Sequence, residues 1–194
     1  MRSGDQMAIQ QTGESTSARA TSSAAAFREL AALFGEVADS YERVDEIDGV
    51  DGLRNAMHLL ACATEHILEA DLERPMFTRI VSPARKILGD NPDAIYHWTR
   101  IRGDRRYRIV GRRGNEVYAS YTIHAKDAGG GALERVVADV NDRALEVDRD
   151  GRYEIILSAD KQPGNWIELD PDATTIITRH YFAQDRPAAA NPDN

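Results

Sequence analysis

Two hydrophobic periods divide the chain. Between positions 27 and 68 apolar residues return every three or four places, and from Asn91 onward they alternate with polar ones. In the first region Phe27, Leu30, Leu33, Phe34, Val37 and Tyr41 mark one face of a predicted helix that Ser22 or Ser23 can cap. After the acidic connector DEIDGVDG, Leu53, Met57, Leu60, Ala61, Thr64, Ile67 and Leu68 mark a second helix, so the two form an αα-hairpin. Pro75 ends that pattern. A connecting segment with room for a short helix between Pro83 and Leu88 leads to the Asp-Asn-Pro-Asp turn.

The alternation then predicts strands. In AIYHWTRI, Ile95, His97, Thr99 and Ile101 fall on one face and Tyr96, Trp98 and Arg100 on the other. Gly103-Asp104 turns into RYRIVGRRG, where Tyr107 and Ile109 oppose Arg106 and Arg108. Gly114-Asn115 turns into EVYASYTIH, with Val117, Ala119, Tyr121 and Ile123 on the expected core face and Tyr118, Ser120, Thr122 and His124 on the other. Tight turns imply that these three pair in order as an antiparallel meander. Further strands are expected at LERVVADV, ALEVD, RYEIILSA, NWIEL and TTIITRHYF, eight in all. Short strands at regular spacing after two helices predict an α+β protein, an N-terminal helical hairpin followed by an antiparallel β-sandwich of jelly-roll-like kind. The expected organisation is a disordered leader over 1–21, the hairpin over 22–74, the sandwich over 75–185 and a flexible tail over 186–194.

Composition narrows the chemistry. The 24 basic and 32 acidic residues among 194 leave a net charge of −8, which argues against general binding to nucleic acid or an anionic membrane. Cys62 is the single cysteine, so an internal disulfide is excluded, a reducing cytoplasmic compartment is the simpler expectation, and its apolar helical setting reads as a core thiol. His58 and His66 stand two helical turns apart, too far to share a metal. The glycines of KDAGGGA lack the strand-to-helix setting and the lysine of a phosphate loop. No metal and no cofactor is therefore expected. RIRGDRRYRIVGRR is the notable basic run; with one interleaved tyrosine it reads as a solvated face.

The runs NPDAIYHWTRIRGDRRYRIVGRRG, DRDGRYEIILS, GNWIELDPDA and TRHYF, in that order over about residues 75 to 185, resemble the bacterial family catalogued as domain of unknown function 1214. The resemblance implies a jelly-roll-like sandwich and supplies no established activity. Members are often longer after the Arg-x-Tyr strand, so a site that needs such a second half would be incomplete here.

A candidate site is then a constellation on the strands. His97, His124 and His180 could move a proton near neutral pH, Arg100 and Arg179 could hold an anion, and Trp98 and Trp166 could stack on a ring. Tyr118, Tyr121, Asn165 and Tyr181 complete it. Each of these residues also has an ordinary structural role open to it: tryptophan fills cores, and arginine alternating with tyrosine covers strands. Three functions remain. The favoured one is a module that binds a small hydrophobic or glycan-like ligand between the sheets. The others are a cofactor-independent hydratase, isomerase or lyase using His and Arg, and an assembly subunit pairing through the hairpin, which would allow a homo-oligomer. Two histidines within reach of an arginine in one pocket would favour the enzyme.

Overall fold

The protein is described from a computed structural model over residues 12–42, 44–82, 84–87, 89–126 and 135–183. Two helices precede antiparallel sheets, an α+β layout, and contacts divide the chain into compact units at Ala56/Met57, inside the second helix.

In the first unit, α1 (Thr12–Tyr41) starts ten residues before the expected serine caps, so its backbone enters the stretch assigned to the leader. The second helix, α2 (Glu46–Ala63), likewise absorbs the acidic connector. Asp45 explains this: its carboxylate accepts the Ile47 N–H at 3.0 Å as an N-cap, and Glu46 and Asp48 in the first turn favour the positive end of the helix dipole. Gly52 lets the hairpin close, since a Cβ there would fall 2.1 Å from the Tyr41 ring. Phe34, Val37 and Tyr41 are half-buried, whereas Phe27, Leu30, Leu33, Ile47 and Val50 are exposed.

The second unit begins with the last turns of α2 and a π-helical turn, Thr64–Leu68, short of the expected stop at Pro75. Its residues anchor to the sheet: Cys62 and His66 are buried, Thr78 Oγ1 lies 3.1 Å from His66 Nδ1, and the His66 ring meets Trp98 edge-on. Residues 84–87, part of the short helix expected before the sheet, are not helical. The strands are β1 (Thr78–Arg79), β2 (Ala94–Arg100), β3 (Tyr107–Arg112), β4 (Tyr118–Ala125), β5 (Arg135–Asn141), β6 (Arg152–Ser158), β7 (Trp166–Glu168) and β8 (Ala173–Tyr181). Sheet A has the order β1-β2-β8-β4-β5, and sheet B the order β3-β6-β7. All pairs are antiparallel except β6 with β7.

Two expectations change. The meander β2-β3-β4 does not form: β8 lies between β2 and β4, and β3 crosses into sheet B. Gly103 sits in that crossing, where a Cβ would lie 2.2–2.4 Å from the backbone of Asp170 and Pro171, so the close approach requires glycine. The ALEVD segment is no strand; a 3-10 turn, Asp142–Ala144, capped by the Asn141 side chain, is followed by an irregular stretch. The two-residue β1, which pairs Thr78 with Trp98 and Arg79 with His97, has no counterpart among the predicted strands.

Register sorts the side chains of sheet A. Ile123 and Ile176 pair across β4 and β8, and Thr99 opposes Ile176 from β2, so these share the face toward sheet B. There they meet Ile155 and Leu157 of β6 and Ile167 of β7 in the core. Ile101, Tyr121, Leu169 and Ala173 complete it. Burying isoleucine and leucine from both sheets contributes roughly 1.5–3 kcal/mol per side chain, which is what holds two short sheets together.

Candidate functional site

The inter-sheet space opens between β2 and β3. A cleft of about 430 Å³ lies there, within the size range of small-molecule sites. Ile101, Ile109, Leu157 and Ile176 form its floor and Phe77 part of its wall. Arg74, Arg106 and Arg108 stand around it with Glu73. Its floor is the sandwich core seen from the side, because β2 and β3 belong to different sheets and no strand among the described residues bridges them.

The wall over 71–77 has no regular structure, and side chains hold it. Tyr107 Oη accepts the Arg102 N–H at 2.9 Å and donates to the Leu72 carbonyl at 3.0 Å. Arg105 binds Glu73 through Nε and Nη2 at 3.1 and 3.0 Å, and the Asp71 carboxylate accepts the N–H groups of Glu73 and Arg74. Half-buried Tyr107 has its phenol pKa raised chiefly by loss of water, so it stays a neutral hydrogen-bonding post.

Charge at the mouth is uneven. Arg105 is paired with Glu73, and Arg108 lies 3.3 Å from Glu154. Among the described residues Arg74 and Arg106 have no carboxylate partner. Both are exposed.

None of the eleven residues expected from the sequence lines this cleft. They divide between the two faces of sheet A and β7. Trp98, Arg100, Tyr118, His124, Arg179 and Tyr181 share the face turned from sheet B, as the pairs Tyr118–Tyr181, Trp98–Ile177 and His124–Thr175 require. On that face Arg179 Nη1 donates to Thr122 Oγ1 at 2.8 Å, and that hydroxyl donates to Asp139 Oδ1 at 2.7 Å. The indole N–H of Trp98 is buried without a hydrogen-bond partner among the described residues, and His124 is buried.

His97, His180 and Tyr121 point between the sheets, beyond the Thr99–Ile176 layer. The imidazole centroids of His97 and His180 are 5.9 Å apart, and Tyr121 Oη is hydrogen-bonded to Tyr153 Oη. Burial, then the neighbouring His180 and Arg79, lowers the His97 pKa to about 4. Burial also lowers that of His180, with the Glu116 carboxylate opposing. Both histidines are therefore neutral at physiological pH. Two histidines and an arginine do stand near each other, but no histidine lines the cleft.

Asn165 and Trp166 hold β7. Asn165 Oδ1 accepts the Glu146 N–H at 2.7 Å while Nδ2 donates to the carbonyls of Glu146 and Glu154. Trp166 Nε1 donates to the Ser158 carbonyl at 3.1 Å. The cleft residues missed from the sequence, Arg74, Phe77, Arg106 and Arg108, left one signal: the basic run through 100–113, which reads as an ordinary solvated strand until β3 is seen to border an opening.

Among the described residues no group of His, Cys, Asp or Glu is placed to hold a metal ion. None of their helices is long and apolar enough to cross a membrane. The 127–134 loop, which contains the glycines, and the 186–194 tail lie outside the described residues.

No protein-family model and no curated protein matches the chain. Among solved structures it is similar to an uncharacterised protein from Burkholderia cenocepacia, at 26% identity and TM-score 0.75 over 85% of this chain and 46% of that one. A protein from Vibrio parahaemolyticus aligns at 24% identity and TM-score 0.37, over 48% of this chain and 27% of that one. The chain thus spans less than half the length of either structure.

Proposed function

We propose that this protein is a small-molecule-binding β-sandwich module and that its ligand is a compact apolar molecule seated in the cleft between β2 and β3. The observation that carries the reading is the cleft itself: about 430 Å³ with an isoleucine and leucine floor at the open side of the sandwich. Apolar surface at such an opening gains roughly 25 cal/mol for every Å² that a ligand removes from water. Its lining favours the hydrophobic over the glycan-like ligand. Sugars are held by stacked aromatics with polar neighbours, and Trp98 and Trp166 both lie outside the cleft. The resemblance to domain of unknown function 1214 remains part of this reading and adds no activity to it.

Decanol is a suitable probe, titrated calorimetrically into the full chain. Phe77 is 36% exposed and outside the core cluster, so Phe77→Glu charges the wall without emptying the sandwich. The reading expects saturable binding that this substitution weakens at least tenfold, equivalent to about 1.4 kcal/mol. Unchanged affinity in the variant would exclude the cleft as the binding place.

A further inference from the structure

The geometry points to a ligand with an anionic head: we infer that the cleft takes a free single-chain amphiphile whose carboxylate, or a similar anion, sits between Arg74 and Arg106 while its chain lies on the floor. This deepens the proposed function and rests on it. The cleft has two chemically different parts, an apolar floor of Ile101, Ile109, Leu157 and Ile176 and a mouth lined by Arg74, Arg106 and Arg108. The cations at this mouth are not equivalent. Glu154 lies against Arg108 at 3.3 Å, and the one acid lining the cleft, Glu73, is engaged by Arg105 at 3.0 Å. Arg74 and Arg106 are left without a carboxylate among the described residues.

Their placement opposes the chain's overall charge. The chain carries a net charge of −8, so two guanidinium groups without a carboxylate partner among the described residues, beside an apolar opening, stand against its overall sign. Guanidinium presents a planar donor fork that matches a carboxylate. The wall that carries Arg74 is fixed before any ligand arrives. Arg74 N–H bonds the Asp71 carboxylate at 3.1 Å, and Tyr107 Oη ties Leu72 to the β2–β3 crossing. Arg106 immediately precedes β3, one residue from that tyrosine. A neutral ligand of equal length would gain the floor and leave both cations idle.

The test compares decanoate with decanol, equal in chain length, by calorimetry on the full chain at low and moderate salt. Arg74→Ala/Arg106→Ala serves as the variant, and far-UV circular dichroism confirms that it is folded. Decanoate is expected to bind at least tenfold more tightly than decanol. That preference should fall to less than threefold in the double variant and shrink as salt is raised, because exposed charges are screened. Equal affinity of the two ligands for the native chain would overturn the anionic head and leave the apolar cleft standing. A preference that survives the double variant would also overturn it. If neither ligand binds, both this inference and the reading beneath it fail. Binding to phosphatidylglycerol vesicles without binding to free decanoate would transfer the cations to a membrane role and overturn the free-ligand assignment.

Discussion

The inter-sheet space has two ends that treat polarity in opposite ways. Toward β3 it is open, floored by Ile101, Leu157 and Ile176, and bordered by exposed arginines. One layer further along the strands it is closed and polar, with His97, His180, Tyr121, Tyr153, Thr178 and buried Glu116. The closed end commits several of its polar groups within the fold, Tyr121 with Tyr153 and Glu116 with the Gly114 N–H, while the buried Thr178 hydroxyl has no partner among the described residues. Such groups are costly to leave unpaired, so they specify packing more than they invite a ligand. The open end keeps unpaired cations because water solvates them. Exposed charge beside apolar surface is available for binding, whereas buried charge is largely committed to the fold.

Substitutions can break that contrast, in descending order of effect. Leu157→Ala removes a fully buried side chain at the floor shared by both ends. We expect a loss of about 2–5 kcal/mol in denaturant unfolding; a loss below about 1 kcal/mol would mean the floor is looser than described.

The closed end should respond to acid. His97 is held at about 4 in the folded protein, with Glu116, Tyr121, His180 and Arg79 around the pair. Its unfolded value is near 6.5, so between these values the unfolded chain binds the extra proton. This contribution is complete above pH 6.5 and is lost as pH falls toward 4. The shift alone would be worth about 3 kcal/mol, and partial exposure reduces it to about 1–2 kcal/mol. His66, also lowered to about 4, chiefly by burial, adds loss of the same sign. Unfolding titrations at pH 7 and pH 4.5 should differ accordingly, and His97→Gln should flatten the dependence.

Tyr153→Phe leaves the Tyr121 hydroxyl without the partner it has now. A cost of about 1–2 kcal/mol follows from the stranded polar group. Thermal unfolding checks it, and a neutral outcome would show that Tyr121 finds another acceptor or water. Arg108→Ala, at the open end, should change stability by less than about 0.5 kcal/mol, because the Glu154 pair is solvent-exposed. A larger loss would show that this end is also committed to the fold.

Local pattern determined much of this protein. The helical spacing from Phe27 to Tyr41, the alternation in β2, β4 and β8 and the turn residues between them are visible because side-chain direction repeats with the backbone geometry. The face assignments held where register preserves them: Ile95, His97 and Thr99 point one way and Tyr96, Trp98 and Arg100 the other. The same alternation had already separated His97 from Trp98, but it could not say which strand lay beside which. Pairing joins residues distant in sequence, and only the folded chain put β8 between β2 and β4 and sent β3 to the other sheet. The cleft comes from that crossing. Arg74, Phe77, Arg106 and Ile109 meet because β2 and β3 part at Gly103 and the 71–77 segment returns over the gap, a long-range closure that no local period encodes.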